Sequence, residues 1–361
     1  MPAGSLDRLR AWMAARGTGA AVLTNPVSIG YLTGFVTEPH ERLMALVVRE
    51  GAAVLVVPAL EEESAGAAAR AVTVSAWRDG DDPWAPVAGA VGAPGGRLAV
   101  EMDHLSLARW ERLREIAGGA EPVDAGAEVR RLRARKTADE IALLERAARL
   151  TDEVTERARA GISVGRSELE VAAAIDHEIA VAGARPSFDT IVQSGPNSAQ
   201  PHLRPGGRRL EAGDLVLLDF GAASGGYRAD TTRMLVVGEP AARQLEVHAL
   251  VLAAHDAAVA AIRPGATVGE VDEAARAVIR DGGLAAAFIH RVGHGLGLEA
   301  HEDPSLDPGG DAVLEEGMVV TVEPGVYLPG WGGVRIEDDV VVEAGGARLL
   351  TRADRALRAA G

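Results

Sequence analysis

Cysteine is absent from the 361 residues, which rules out disulfides, a thiol nucleophile and a thiolate-held metal. That absence fits the cytoplasm. Lysine occurs once, at Lys136, against many arginines, a bias that reflects the genome rather than a function. No apolar run is long enough to cross a membrane. The opening MPAGSLDRLRAWMAARG has no apolar core of signal-peptide length and reads instead as an amphipathic helix with Leu6, Leu9, Trp12 and Met13 on one face. Positive charge is outnumbered, 37 Lys and Arg against 52 Asp and Glu. A formal net charge of −15 argues against nucleic acid or an anionic membrane as the main partner. The one basic cluster, RRLRARK from Arg130 to Lys136, reads as a solvated interdomain segment rather than an anion site.

What is present is enough for two domains. In the first part strand-like AAVLT, LMALVVRE, AAVLVVPA and RLAVEM alternate with helix-like EEESAGAAAR and SLARWERLREIA, the pattern of a small α/β domain. VGAPGG is a turn within it. The expected division is 1–128 for this domain, 129–136 for a linker and 137–361 for a second, α+β domain. TADE at Thr137 is a capping box opening a long helix with Ile141, Leu144, Ala148 and Leu150 on its apolar stripe. Further helices are expected over SELEVAAAIDHEIAVAG and at about 241–262 and 268–282. His177, His248 and His255 fall on these helices and read as structural, whereas His40 and His104 read as surface residues.

Two hairpins carry carboxylates inside apolar strands. In DLVLLDFGAASGGYRADTTRMLVV, a turn centred between Ser224 and Gly225 sets Asp219 opposite Asp230. In MVVTVEPGVYLPGWGGVRIEDDVVV, a turn centred on Gly330 sets Glu323 opposite Glu337. Like charges facing across a ladder are destabilising, so such pairs must share a proton or a cation. Four inward carboxylates exceed what one divalent ion neutralises comfortably, and two divalent ions resolve the repulsion. His294, among the glycines of HRVGHGLGLEAHEDP, is the best candidate for a fifth ligand. An oxygen and nitrogen set without sulfur suits manganese, cobalt, iron or zinc, and no calcium loop pattern is present.

These motifs, with SGPNSAQPH, YLTGF and EPHERLMAL, resemble the pita-bread metallopeptidases and, within them, the Xaa-Pro peptidase branch of prolidase and aminopeptidase P. The resemblance implies a creatinase-like N-terminal domain and a pita-bread catalytic domain. It implies that Asp219 chelates one ion, that His294 and Glu323 hold the other, and that Asp230 and Glu337 bridge them, with manganese favoured over cobalt or zinc. It further implies a hydrolase in which Glu323 accepts a proton from the attacking water. His202 and His301 would lie near the proline nitrogen and assist proton movement. His290 and Arg335 would line the substrate pocket, although His202 reads equally as a loop histidine and His290 as a satisfied strand histidine. The expected substrates are small proline-containing peptides, dipeptides favoured over the longer peptides of an aminopeptidase P, and the expected assembly is a homodimer. Relatives that keep this fold without its ligands make a silent binding protein the rival from another class. The filled ligand positions count against it.

Overall fold

The computed structural model describes residues 4–93 and 95–361. Residues 1–3 of the expected first helix, and Pro94 of the VGAPGG turn, lie outside the described residues. The chain divides into two compact units, Met1–Arg133 and Ala134–Gly361. No helix among the described residues is long and apolar enough to cross a membrane.

The first unit is built on a six-stranded mixed sheet. Its order is Thr73–Trp77, Ala53–Pro58, Ala45–Arg49, Ala20–Leu23, Arg97–Val100 and Glu121–Asp124. The three central strands pair antiparallel and the outer additions are parallel. Val22, Val47, Val56, Leu98 and Leu113 form part of its core. Helix Ser5–Ala15 buries Leu6, Leu9 and Met13, three of the four residues expected on its apolar face, while Trp12 is only half-buried. His40 and His104 are exposed.

Residues 129–134, expected as linker, instead belong to helix Gly126–Ala134. The basic cluster there is not wholly solvated, since Arg133 and Lys136 are buried. Val129 and Leu132 explain the difference: they are buried three residues apart, a spacing that keeps one helix face in the core.

The second unit repeats one plan twice. Helix Ala138–Ala160 is followed by Glu168–Val181, and Ala242–Ala261 by Val268–Asp281. Capping boxes open three of them, Thr137/Glu140, Ser167/Glu170 and Thr267/Glu270, each satisfying amides that a helix start leaves free. The shorter helices are the same length and their boxes lie one hundred residues apart. After the first helix pair comes a four-stranded sheet, Arg358–Ala360, Thr231–Val237, Leu215–Phe220 and Ile191–Ser194. After the second comes a five-stranded sheet, Glu302–Ser305, His294–Gly295, Val319–Val322, Asp338–Glu343 and Gly346–Leu349. An isolated bridge between Thr232 and Glu337 ties the two sheets together. Each half therefore delivers its own carboxylates to one seam.

Candidate metal centre

The first hairpin differs from its expected register. Asp219 pairs with Thr232, and the inner pair Ser224–Tyr227 puts the turn at Gly225 and Gly226. The centre has moved by one residue, so Asp230 lies diagonal to Asp219 rather than opposite it. Shifting the centre by one residue moves the partner by two, which keeps both side chains on the same face. The register places Gly221 opposite Asp230, where a Cβ would sit 1.7 Å from the Ala229 carbonyl oxygen. Only glycine fits there. The second hairpin does pair symmetrically about Gly330, through Gly325–Arg335 on one side and Val322–Asp338 on the other. Glu323 and Glu337 stand in the gap between these two ladders.

Asp230, His294 and Glu337 are buried, and each offers a ligand atom within 4.8 Å of the others. His294 Nε2 lies 3.2 Å from Glu323 Oε1 and 4.0 Å from Asp230 Oδ2. Its Nδ1 is 3.1 Å from the Gly295 carbonyl, which orients the ring and leaves Nε2 towards the carboxylates. Nε2 must then carry a proton or share a cation with them. Glu337 accepts a hydrogen bond from Thr232 Oγ1 at 2.7 Å. Thr321 Oγ1 donates to Glu323 at 3.3 Å and accepts from the His294 amide at 3.1 Å. Asp219 stands apart from the tightest group because its carboxylate is drawn to the Arg335 guanidinium.

Burial, then the charge of Glu337, pushes Asp230 well above the ordinary carboxylate range. Burial, then Glu323 and Asp219, does the same to Glu337. Asp219 is also raised by burial, against the pull of Arg335. Glu323 goes the other way: burial raises it, but the hydrogen bond and charge of His294 hold it at about 2. One oxygen of Asp219 and one of Asp230 are buried with no hydrogen-bond partner. Such atoms are costly unless something positive meets them. The set fits a divalent cation, with hard oxygens, one imidazole and no sulfur.

Every site residue expected from the sequence lines one cleft of about 1410 Å³ in the second unit. His301 is exposed and packs its ring against His294 with centroids 4.1 Å apart. Burial, then His294, lowers it to about 4. His202 sits on an exposed turn, held from behind by Gln193, whose amide donates to the carbonyls of Gln200, Pro201 and Leu203. His290 has both nitrogens engaged, Nε2 with Tyr327 Oη at 2.9 Å and Nδ1 with the Arg291 carbonyl at 2.7 Å. Arg335 donates to Thr232 at 3.0 Å, to Tyr327 at 2.9 Å and to Asp219. It serves the protein's own carboxylate, so it is poorly placed for the substrate contact expected of it. Of the histidines read as structural, His177 is exposed, while His248 and His255 are buried. His255 Nε2 reaches Asp338 at 3.0 Å behind the site.

Several contributors were not singled out in the sequence. Thr232 and Thr321 lie two residues from Asp230 and Glu323, so strand periodicity alone puts them on the same face. Tyr327 and Arg291 carried no such signal.

Residues 142–344 match Metallopeptidase family M24, and residues 6–135 match the Creatinase/Prolidase N-terminal domain. The chain belongs to metallopeptidase family M24. An M24 relative described as an Xaa-Pro dipeptidase, from Lactobacillus helveticus, is 37% identical over 361 residues, covering 98% of each chain. The solved prolidase from Thermococcus sibiricus superposes with a TM-score of 0.93 at 35% identity, covering 99% of each chain. An X-Pro aminopeptidase from Thermotoga maritima gives 0.89 at 31% identity, covering 98% of this chain and 99% of that one. M24 membership brings the expectation of divalent metal to the carboxylate and histidine cluster. It also confirms the fold class, a creatinase-type N-terminal domain with a pita-bread catalytic domain.

Proposed function

We propose that this protein is a dinuclear-metal-dependent Xaa-Pro dipeptidase, with manganese as its working ion in preference to cobalt or zinc. Asp219, Asp230, His294, Glu323 and Glu337 are the proposed ligands. The observation that carries the reading is the buried carboxylate cluster with its orphaned oxygens at the floor of the cleft. When bound, the ions supply Lewis acidity, lowering the pKa of a water and polarising the scissile carbonyl.

The protein's own groups do the rest. Glu323, the one proposed ligand carboxylate held below the ordinary range and so kept ionised, accepts the proton of the attacking water. Proline nitrogen lacks an N–H and must gain a proton as it leaves. His301 and His202 both line the cleft, and we assign this proton to them. Arg335, fixed by Tyr327 and Thr232, holds Asp219 in place.

A dipeptidase also needs a cation for the substrate's terminal carboxylate. Three arginines line the cleft. Arg276 is engaged by Asp272 at 2.7 and 2.9 Å and by the carbonyls of Phe288 and His290, and Arg335 is engaged as described. Arg291 donates to Ser305 Oγ at 2.7 Å through Nη1 and keeps donors for a ligand. We assign the carboxylate to Arg291.

The cleft volume favours a second reading. At about 1410 Å³ it exceeds the roughly 300–1,000 Å³ usual for small ligands, which suits an aminopeptidase P taking longer peptides. Xaa-Pro and Xaa-Pro-Yaa should be compared under manganese, cobalt and zinc. We expect higher kcat/KM on the dipeptide, and highest activity with manganese. Comparable cleavage of the tripeptide establishes the aminopeptidase, and no cleavage of either overturns the Xaa-Pro peptidase reading. A homodimer in the cytoplasm is part of the proposal and rests on the family resemblance.

A further inference from the structure

The only lysine of the chain is a buried ion. Lys136 Nζ lies 3.4 Å from Glu302 Oε2, with side chains 1% and 5% exposed. Nζ also donates to the Ala134 carbonyl at 3.3 Å, and the Lys136 amide donates to Gly317 at 2.8 Å. Burying such a pair seldom stabilises a fold more than apolar residues of the same size would. Its best-attested benefit is a fixed geometry.

The surroundings are shaped to that geometry. The other oxygen of Glu302 accepts the Glu299 amide at 3.0 Å. A Cβ on residue 297 would fall 2.7 Å from one Glu302 oxygen and 2.9 Å from the other, so Gly297 keeps the carboxylate where it is. Gly317 has φ +86°, and a Cβ there would meet the Lys136 carbonyl at 2.8 Å. Glu302 then pairs with Gly295, one residue from His294. Between these anchors the chain turns tightly, and the residue directly before Glu302 is His301, whose ring is stacked edge-on against His294.

We propose that Lys136 and Glu302 are positioning residues, whose ion pair fixes the turn 297–302 and thereby holds the His301 imidazole at the bond to be cleaved. The inference rests on the reading of His301 as the group that serves the departing proline nitrogen. A misplacement of about 1 Å in a catalytic group can cost on the order of a hundredfold in rate, so a pair that never meets substrate can still govern turnover.

The test is a cycle of wild type, E302Q, H301A and the double variant, assayed on an Xaa-Pro dipeptide with manganese. Metal content is measured on the same samples, and histidine-ring NMR spectra on the chelated proteins, where no paramagnetic ion broadens the His301 signals. Turnover by wild type and its loss in H301A report on the functional reading alone. For the pair, we expect E302Q to lower kcat about tenfold or more with metal content and KM little changed, and to have no further effect once His301 is gone. We also expect the His301 ring resonances, identified by their loss in H301A, to shift in E302Q whether or not turnover is seen. Unmoved resonances, an unchanged kcat, or losses that multiply in the double variant would overturn the proposal. Should E302Q fail to fold, K136R keeps both charges while altering where Glu302 is held, and the same readings apply to it.

Discussion

Replacing Asp230 with asparagine should have opposite consequences in the stripped and the metal-loaded protein. Asp230 and Glu337 offer ligand atoms no more than 4.8 Å apart. Two full charges at that distance repel by about 3.5 kcal/mol at an effective dielectric constant of about 20. That is equivalent to roughly 2.5 pH units of protonation, in line with the upward direction found for both groups. Without metal, D230N therefore removes a burden, and its amide group can donate to neighbouring carboxylates. The Asp230 backbone bond to Asp339 is untouched. With metal, the same change removes a ligand. Manganese at about 100 times its Kd stabilises a site by about 2.7 kcal/mol, worth roughly 5–11 °C of Tm for a unit of this size. Thermal unfolding would be followed after chelation and again with manganese restored. We expect D230N to melt at or a few degrees above wild type when stripped, and to lose most of the manganese-induced rise. A lower stripped Tm together with an undiminished rise would refute the reasoning.

The stripped wild type should also lose stability as pH rises. Asp230, Glu337 and Asp339 bind protons more tightly when folded, so the folded state holds more protons above the ordinary carboxylate range and stability falls with increasing pH. Glu323, held near 2, acts only below that range. A chelated sample melting higher at pH 8 than at pH 6 would contradict this. For Arg291→Met, removing a charge-assisted hydrogen bond worth about 1.5–3 kcal/mol should raise KM for Xaa-Pro at least tenfold while sparing the corresponding Xaa-Pro amide. Equal effects on both substrates would place the carboxylate elsewhere.

Much of this is legible in the sequence. The capping box at Thr137 and the apolar stripe after it marked the start of the long helix closely, because those signals are local. The symmetry about Gly330 located Glu323 and Glu337 for the same reason. The first hairpin was misjudged by one residue because a Ser-Gly-Gly turn admits two centres. The observed centre brings Ala229 against Gly221, where only glycine fits, a contact the sequence does not advertise. In the first unit, helix Trp84–Val91 and strand Thr73–Trp77 went unread. The strand is only partly buried and so lacks a clear alternation. Arg335 lines the cleft as expected, but its contacts depend on Tyr327 and Asp219 arriving from other strands. Long-range convergence of that kind has no local trace.

The enclosure of Lys136 has a practical side. With its one ε-amine sealed inside the catalytic unit, the native protein presents amine-directed reagents with no lysine on its surface. Succinimidyl dyes and aldehyde supports would leave Lys136 unlabelled in the folded state and reach it only after unfolding. Bifunctional amine cross-linkers, by the same token, would find almost nothing on this surface to join.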